Sequence, residues 1–231
     1  MIFSVERQRA LQAFQVPLTE GDTVLTTLLY IHENLDSTLA FRHGCRTGKC
    51  GLCAVEADGK TRLACQTTVV PRMVIGPLSR LPVLRDLVVD RRRFFDQLSR
   101  HQLYLAKQQF CLGSHRFYPE SRQFCQDDPY SSLPQFGVIK EPAEHHNLMA
   151  CTECLCCLAA CPRYDWEDSS FGGPYLFVKL AQLHFDPRNT TDRRKQAREL
   201  GIGECAECGK CYCPNGIAIY KTAIRPLSGH K

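Results

Sequence analysis

Cys151-Thr-Glu-Cys154-Leu-Cys156-Cys157-Leu-Ala-Ala-Cys161-Pro162 decides how the rest of this chain is read. The spacing is C-x2-C-x2-C-x3-C-P. Thiolates three residues apart on a curled backbone converge on one object, while the Cys before Pro serves a different one, as in bacterial ferredoxins. A second run, Cys205-Ala-Glu-Cys208-Gly-Lys-Cys211-Tyr-Cys213-Pro214, supplies the crossing partner. Two iron–sulfur clusters are therefore expected in the second half. The crossing rule assigns Cys151, Cys154 and Cys157 with Cys213 to a [4Fe–4S] cluster, and Cys161 with Cys205 and Cys211 to the next. Between Cys211 and Cys213 the gap is shorter than the x3 of the first run, so Cys213 rests on the crossing rule alone.

Two other chemistries compete. A zinc-stabilised, non-redox interaction module needs four ligands closing one tetrahedron, and leaves both Cys-Pro tails and Cys156 unexplained. A disulfide framework belongs to short secreted chains, whereas this one has 231 residues and reads as lacking a signal peptide. Adjacent Cys156 and Cys157 also argue against simple pairing.

Towards the start, Cys45-Arg-Thr-Gly-Lys-Cys50-Gly-Leu-Cys53 is followed by Cys65. C-x4-C-x2-C with a distant fourth Cys is the plant-type [2Fe–2S] spacing. Gly44, Gly48 and Gly51 let backbone N–H groups approach inorganic sulfide where a side chain would hold them off. Ala54 to Leu63 reads as a hairpin with an Asp58-Gly59 turn that returns Cys65 to the other ligands. Before it, Ile2, Phe3 and Val5, then Leu11, Phe14 and Val16, suit two short strands with a turn near 6–10. Thr23 caps a helix whose Val24, Leu25, Leu28, Leu29 and Ile31 recur at helical spacing.

Beyond the loop, the apolar residues from Leu84 to Leu105 predict one helix leaving the first domain. Residues 113–142, rich in Pro, Ser, Gln and Asp, read as an irregular connection. Cys111 and Cys125 lack ligand spacing, and His145 and His146 read as solvated or hydrogen-bonded. Helices are expected over 175–185, over 192–200 ending at Gly201, and over 217–224.

Composition agrees with an intracellular metalloprotein. Fifteen cysteines in a chain that is 44% hydrophobic and 23% charged point to metal ligation in a reducing compartment. The net charge of +5 does not demand nucleic acid, and no apolar run reaches the length of a membrane span. There is no nucleotide fingerprint and no nucleophile–base pair, so no catalytic residue is assigned and the chain reads as an electron conductor.

With the Cys45–Cys65 loop, the N-terminal helix, Pro77-Leu-Ser-Arg-Leu-Pro-Val-Leu-Arg-Asp-Leu-Val-Val-Asp90 and both Cys runs in this order, the whole chain resembles the iron–sulfur subunit of succinate dehydrogenase and fumarate reductase. Cys156 sits where that family often has an additional cysteine. The resemblance implies an α+β fold, with a β-grasp [2Fe–2S] ferredoxin-like domain over residues 1–106 and an all-α ferredoxin-type domain carrying two cubane-type clusters over 107–231. It implies a FAD flavoprotein partner that interconverts succinate and fumarate, a quinone acceptor, membrane anchor subunits, and a peripheral place on the cytoplasmic side of the inner membrane. In the family the middle position of the second run is usually apolar, which leaves a [3Fe–4S] centre. Cys208 stands there in this chain and allows a second [4Fe–4S] cluster. Trp166 falls where the family has a quinone-pocket Trp, while the family's His after the first Cys of the second run is Ala206. These departures keep open a related flavoprotein reductase with a non-quinone partner, such as a thiol-linked fumarate reductase.

Overall fold

A computed structural model describes residues 2–7, 10–17, 19, 21–105, 142–168 and 170–229. The expected domain border at 106–107, Cys111, Cys125 and most of the irregular connection lie outside these residues. The expected pair of opening strands is present. Strand β1 (Ile2–Arg7) pairs antiparallel with β2 (Ala10–Gln15), so that Phe3 and Phe14 face each other across the ladder. The Asp58-Gly59 hairpin joins β3 (Ala54–Ala57) to β4 (Lys60–Leu63). Both turn residues have positive φ, 49° and 70°, as the tight turn requires. Strand β5 (Val74–Gly76) runs parallel to β1 and antiparallel to β3, closing a mixed sheet of order β2-β1-β5-β3-β4.

Helix α1 (Val24–Asn34) packs its Val24, Leu25, Leu28 and Ile31 into the core beside this sheet, each burial contributing about 1.5–3 kcal/mol. Its start is a reciprocal cap. Thr23 Oγ1 accepts from the Thr26 N–H at 3.2 Å, and Thr26 Oγ1 accepts from the Thr23 N–H at 2.9 Å.

The single helix expected over 84–105 is not what forms. Val83–Arg85 (β6) and Val88–Val89 (β7) make a short hairpin, and only Arg92–Arg100 is helical (α2). The chain reverses at Asp86, whose φ is +46°. Its buried carboxylate accepts from Arg7 Nε at 3.2 Å and from the Ala40 N–H at 2.8 Å. Those partners are far away in sequence, so local periodicity could not register them.

In the second half, α3 (Ala143–Leu148), α4 (Cys156–Ala159), α5 (Gly173–Phe185), α6 (Arg193–Glu199) and α7 (Arg225–Ser228) surround a core of Leu158, Leu176, Phe177, Leu180, Ile224 and Leu227. Asp192, expected as the first residue of the helix, instead caps it by accepting from the Arg194 and Lys195 N–H groups, and Gly201 follows its end at φ +76°, as expected. The last expected helix begins later, as a π-helical turn over Tyr220–Ile224 that runs into α7.

The halves are stitched together through α2 and the segments on either side of it. Phe94 meets Trp166 and Tyr175 edge-to-face at 5.6 and 5.8 Å, and Arg80 Nη1 donates to the Tyr164 carbonyl at 3.1 Å. Fully buried Arg193 reaches back to the Gln102 and Tyr104 carbonyls at 3.1 and 2.7 Å.

Candidate iron–sulfur sites

The loop carrying Cys45, Cys50 and Cys53 runs between α1 and β3 without regular structure. Its N–H groups turn inward. Cys45 Sγ accepts from Lys49 at 3.1 Å, Cys50 at 3.2 Å and Thr47 at 3.4 Å, and Cys50 Sγ accepts from the Cys45 N–H at 3.4 Å. The Thr47 N–H and hydroxyl, then the Cys50 thiol and Lys49 N–H, bring the Cys45 thiol down to about 6. Cys53 and Cys65 are buried at the inner edge, where the Ala64 N–H donates to the Cys53 carbonyl at 2.9 Å. Burial first, with Cys65 adding to it, pushes Cys53 up to about 12.

Gly51 shows why this loop needs a residue without a side chain. A Cβ there would lie 2.3 Å from the Thr152 carbonyl oxygen and 2.9 Å from Cys154 Cβ, and φ is +67°. The first loop thus docks directly on the Cys151–Cys157 run.

That run curls through Glu153 and Leu155, both in the left-handed region at φ +56° and +67°. Asn215 fastens the second run to it, donating to Thr152 Oγ1 at 2.8 Å. Cys151, Cys154, Cys157 and Cys213 together line a cavity with Tyr175, Val178 and Ile219. The short Cys211–Cys213 gap does not keep Cys213 out. A second cavity is lined by Cys161, Cys205, Cys208 and Cys211 with Phe171 and Pro174. Cys208 faces the same space as its three neighbours.

Burial pushes most of these thiols up: Cys205 to about 12, Cys211 to about 11, and Cys151, Cys157, Cys161 and Cys213 likewise upward. Cys154 goes down to about 7, chiefly through a hydrogen bond with the Cys156 thiol. Cys156 is fully buried, lines neither cavity, and lies 3.8 Å from the Arg62 carbonyl, to which its S–H can donate. Its thiol is pushed up by that contact with Cys154 and by burial, which keeps it a donor.

The donor sets fit multi-iron clusters. All thirteen described cysteines are free. Two sets of four cysteines each surround a space, the number of thiolates a four-iron cluster takes. Thiolates around a cluster stand apart because iron and sulfide lie between them.

Sequence reasoning missed the polar and charged frame. Lys179 pairs with the Glu153 carboxylate beside the first cavity, and Arg163 pairs with Glu204 at the rim of the second. Trp166 is half-buried, with the Arg93 guanidinium 5.1 Å from its ring centroid. Only tertiary contacts reveal these partners.

The model of the 2Fe-2S iron-sulfur cluster binding domain family matches residues 3–96, and that of the 4Fe-4S dicluster domain family matches 150–218. A fumarate reductase iron-sulfur subunit of Mycobacterium tuberculosis is 32% identical over 223 residues, covering 92% of this chain and 83% of that one. The chain belongs to the succinate dehydrogenase and fumarate reductase iron–sulfur subunit family. A chain of the apo-form Sdh1 complex of Mycobacterium smegmatis matches this subunit fold with a TM-score of 0.76 at 26% identity, covering 99% of this chain and 93% of that one. The resemblance drawn from the motifs and the α+β fold class both hold. Two further relatives are longer. An uncharacterised iron–sulfur protein of Methanococcus maripaludis is 32% identical over 97% of this chain and 42% of its own length. A fumarate reductase (CoM/CoB) subunit of Methanothermobacter marburgensis is 32% identical over 96% and 41%. This iron–sulfur subunit spans about two fifths of their length. No helix among its described residues is long and apolar enough to cross a membrane.

Proposed function

We propose that this chain relays single electrons between a FAD flavoprotein partner that interconverts succinate and fumarate and a quinone held with membrane anchor subunits. Cys45, Cys50, Cys53 and Cys65 hold a [2Fe–2S] cluster, Cys151, Cys154, Cys157 and Cys213 a [4Fe–4S] cluster, and Cys161, Cys205, Cys208 and Cys211 a second [4Fe–4S] cluster. When bound, these groups supply one-electron redox centres at graded potentials. The ferredoxin-like domain takes in residues 1–106 and the helical domain 107–231, and the complex sits peripherally on the cytoplasmic side of the inner membrane.

The observation carrying this reading is the order of the three cysteine sets. Gly51 seats the first loop against Thr152 and Cys154, and the two Cys runs build the next two cavities. The N–H groups around Cys45 favour added negative charge on the first centre. Trp166 is fixed between Phe94 and Arg93, and in this reading it serves the acceptor end.

A second reading has support of its own. The fumarate reductase (CoM/CoB) relative aligns with 96% of this chain, and Cys208 and Ala206 depart from the quinone-reducing pattern. In that case the acceptor side serves a thiol-linked couple. Substrate assays on the purified complex separate the two: succinate–quinone turnover supports the first, and fumarate reduction driven only by thiols the second. Anaerobic purification followed by iron, sulfide and EPR analysis tests the common core. About ten iron atoms per chain are expected. Zinc without acid-labile sulfide overturns it.

A further inference from the structure

Arg91 comes from the segment between β7 and α2, yet its guanidinium lies against the Cys151–Cys157 run. It donates through Nη2 to the Glu153 carbonyl. Its Nε is closed off from solvent and has no acceptor among the described residues. Burial first, and exposed Arg42 after it, push its pKa down, while the titratable neighbours Cys154, Tyr175 and Glu153 act the other way. The Glu153 carboxylate is itself paired with Lys179. Among the described residues, then, no carboxylate pairs with Arg91.

A half-buried cation with a spare N–H and no counter-ion is costly, because desolvation is left uncompensated. Arg193 is the instructive contrast. It also lacks a carboxylate, but its N–H groups are shared among Asn189, Gln196 and the carbonyls of Gln102 and Tyr104. Arg91 has no such set. Three of its neighbours, Glu153, Cys154 and Tyr175, line the cavity with Cys151, Cys157 and Cys213.

We infer that Arg91 is the counter-charge of the cluster held by Cys151, Cys154, Cys157 and Cys213, and a positioning residue that raises its reduction potential. The inference rests on the reading that these four thiolates hold a [4Fe–4S] cluster. Four thiolates leave such a cluster net negative, and reduction adds one electron without making or breaking a bond. A fixed cation in a low-dielectric surround stabilises that added charge more than the oxidised state. Because Arg91 belongs to the segment leaving the [2Fe–2S] domain, docking of the two halves is what delivers the charge.

The test is an EPR-monitored redox titration of the anaerobically reconstituted full chain, with dithionite as reductant, for wild type, R91Q and R91K. In R91Q the reduced-to-oxidised ratio of this cluster at fixed potential is expected to fall about tenfold, which is 59 mV for one electron. The [2Fe–2S] ratio should change less than about threefold, and R91K should stay within about threefold of wild type. An unmoved R91Q, an R91K that falls with it, or equal shifts in all clusters overturns the inference. Should R91Q fail to retain the cluster, R91K decides by the same limits. A wild-type chain without iron and sulfide overturns the underlying cluster reading instead, and this inference with it.

Discussion

In the Cys45–Cys53 loop three backbone N–H groups converge on one exposed thiol and hold it near 6, whereas in the second half burial drives Cys205 and Cys211 to about 12 and 11. In the first region Cys45 provides for negative charge before any metal arrives, while buried Cys53 beside it is pushed up to about 12. The second keeps most of its thiols protonated until iron displaces the protons, so loading there must release protons. One is wrapped by backbone from a single short stretch. The other is assembled from two runs that meet only after the chain has folded.

The widest break in that contrast comes from removing one of the gathered thiols. Cys213→Ser is expected to lose the first cavity's cluster, about four iron atoms per chain, while leaving the [2Fe–2S] signal intact. Iron and EPR analysis reads both. Cys208→Ala should lose only about one iron atom and add an oxidised three-iron signal.

Metal-free protein sharpens the comparison through pH. At neutral pH Cys45 should be alkylated on the order of a thousandfold faster than Cys205, as followed by peptide mass spectrometry. The signs for stability are opposite. Cys45, depressed from the ordinary 9.0 to about 6, contributes stability that is full above pH 9 and lost as pH falls through 6. Cys205, raised to about 12, contributes stability present below pH 9 and lost as pH rises through 12. Equal alkylation rates at neutral pH would erase the distinction.

Gly51→Ala addresses the seam between the two regions. Its Cβ meets the Thr152 carbonyl and Cys154 backbone, so about 1–3 kcal/mol of destabilisation is expected in thermal unfolding, with slower electron transfer between the first two clusters. The smallest effect belongs to Gly59→Ala. That glycine also has positive φ, 70°, but open space around it, so about 1 kcal/mol of backbone strain is the whole cost.

Much of the first domain was legible because its signals are local. The strand pair, the Thr23 cap, the Asp58-Gly59 turn and the four plant-type cysteines all declare themselves within a few residues. The helix expected over 84–105 failed for the complementary reason: Asp86 is held by Arg7 and by Ala40, and those contacts outweigh the local apolar spacing. In the site, spacing suggested which cysteines belong together but left Cys208 and Cys213 open, since facing a shared cavity is a property of two segments at once.

The order and spacing of cysteines, glycines and prolines were enough to point to the [2Fe–2S] and [4Fe–4S] binding domains and the family, because ligand spacing is a short-range constraint on backbone geometry. Tertiary structure alone decided that Cys208 and Cys213 turn inward, that Cys156 lines neither cavity and sits between Cys154 and the Arg62 carbonyl, and that Arg91 crosses to the Cys151–Cys157 run. Each of those outcomes depends on packing between residues distant in the chain, where burial and charge compensation, rather than local propensity, set the lowest free energy.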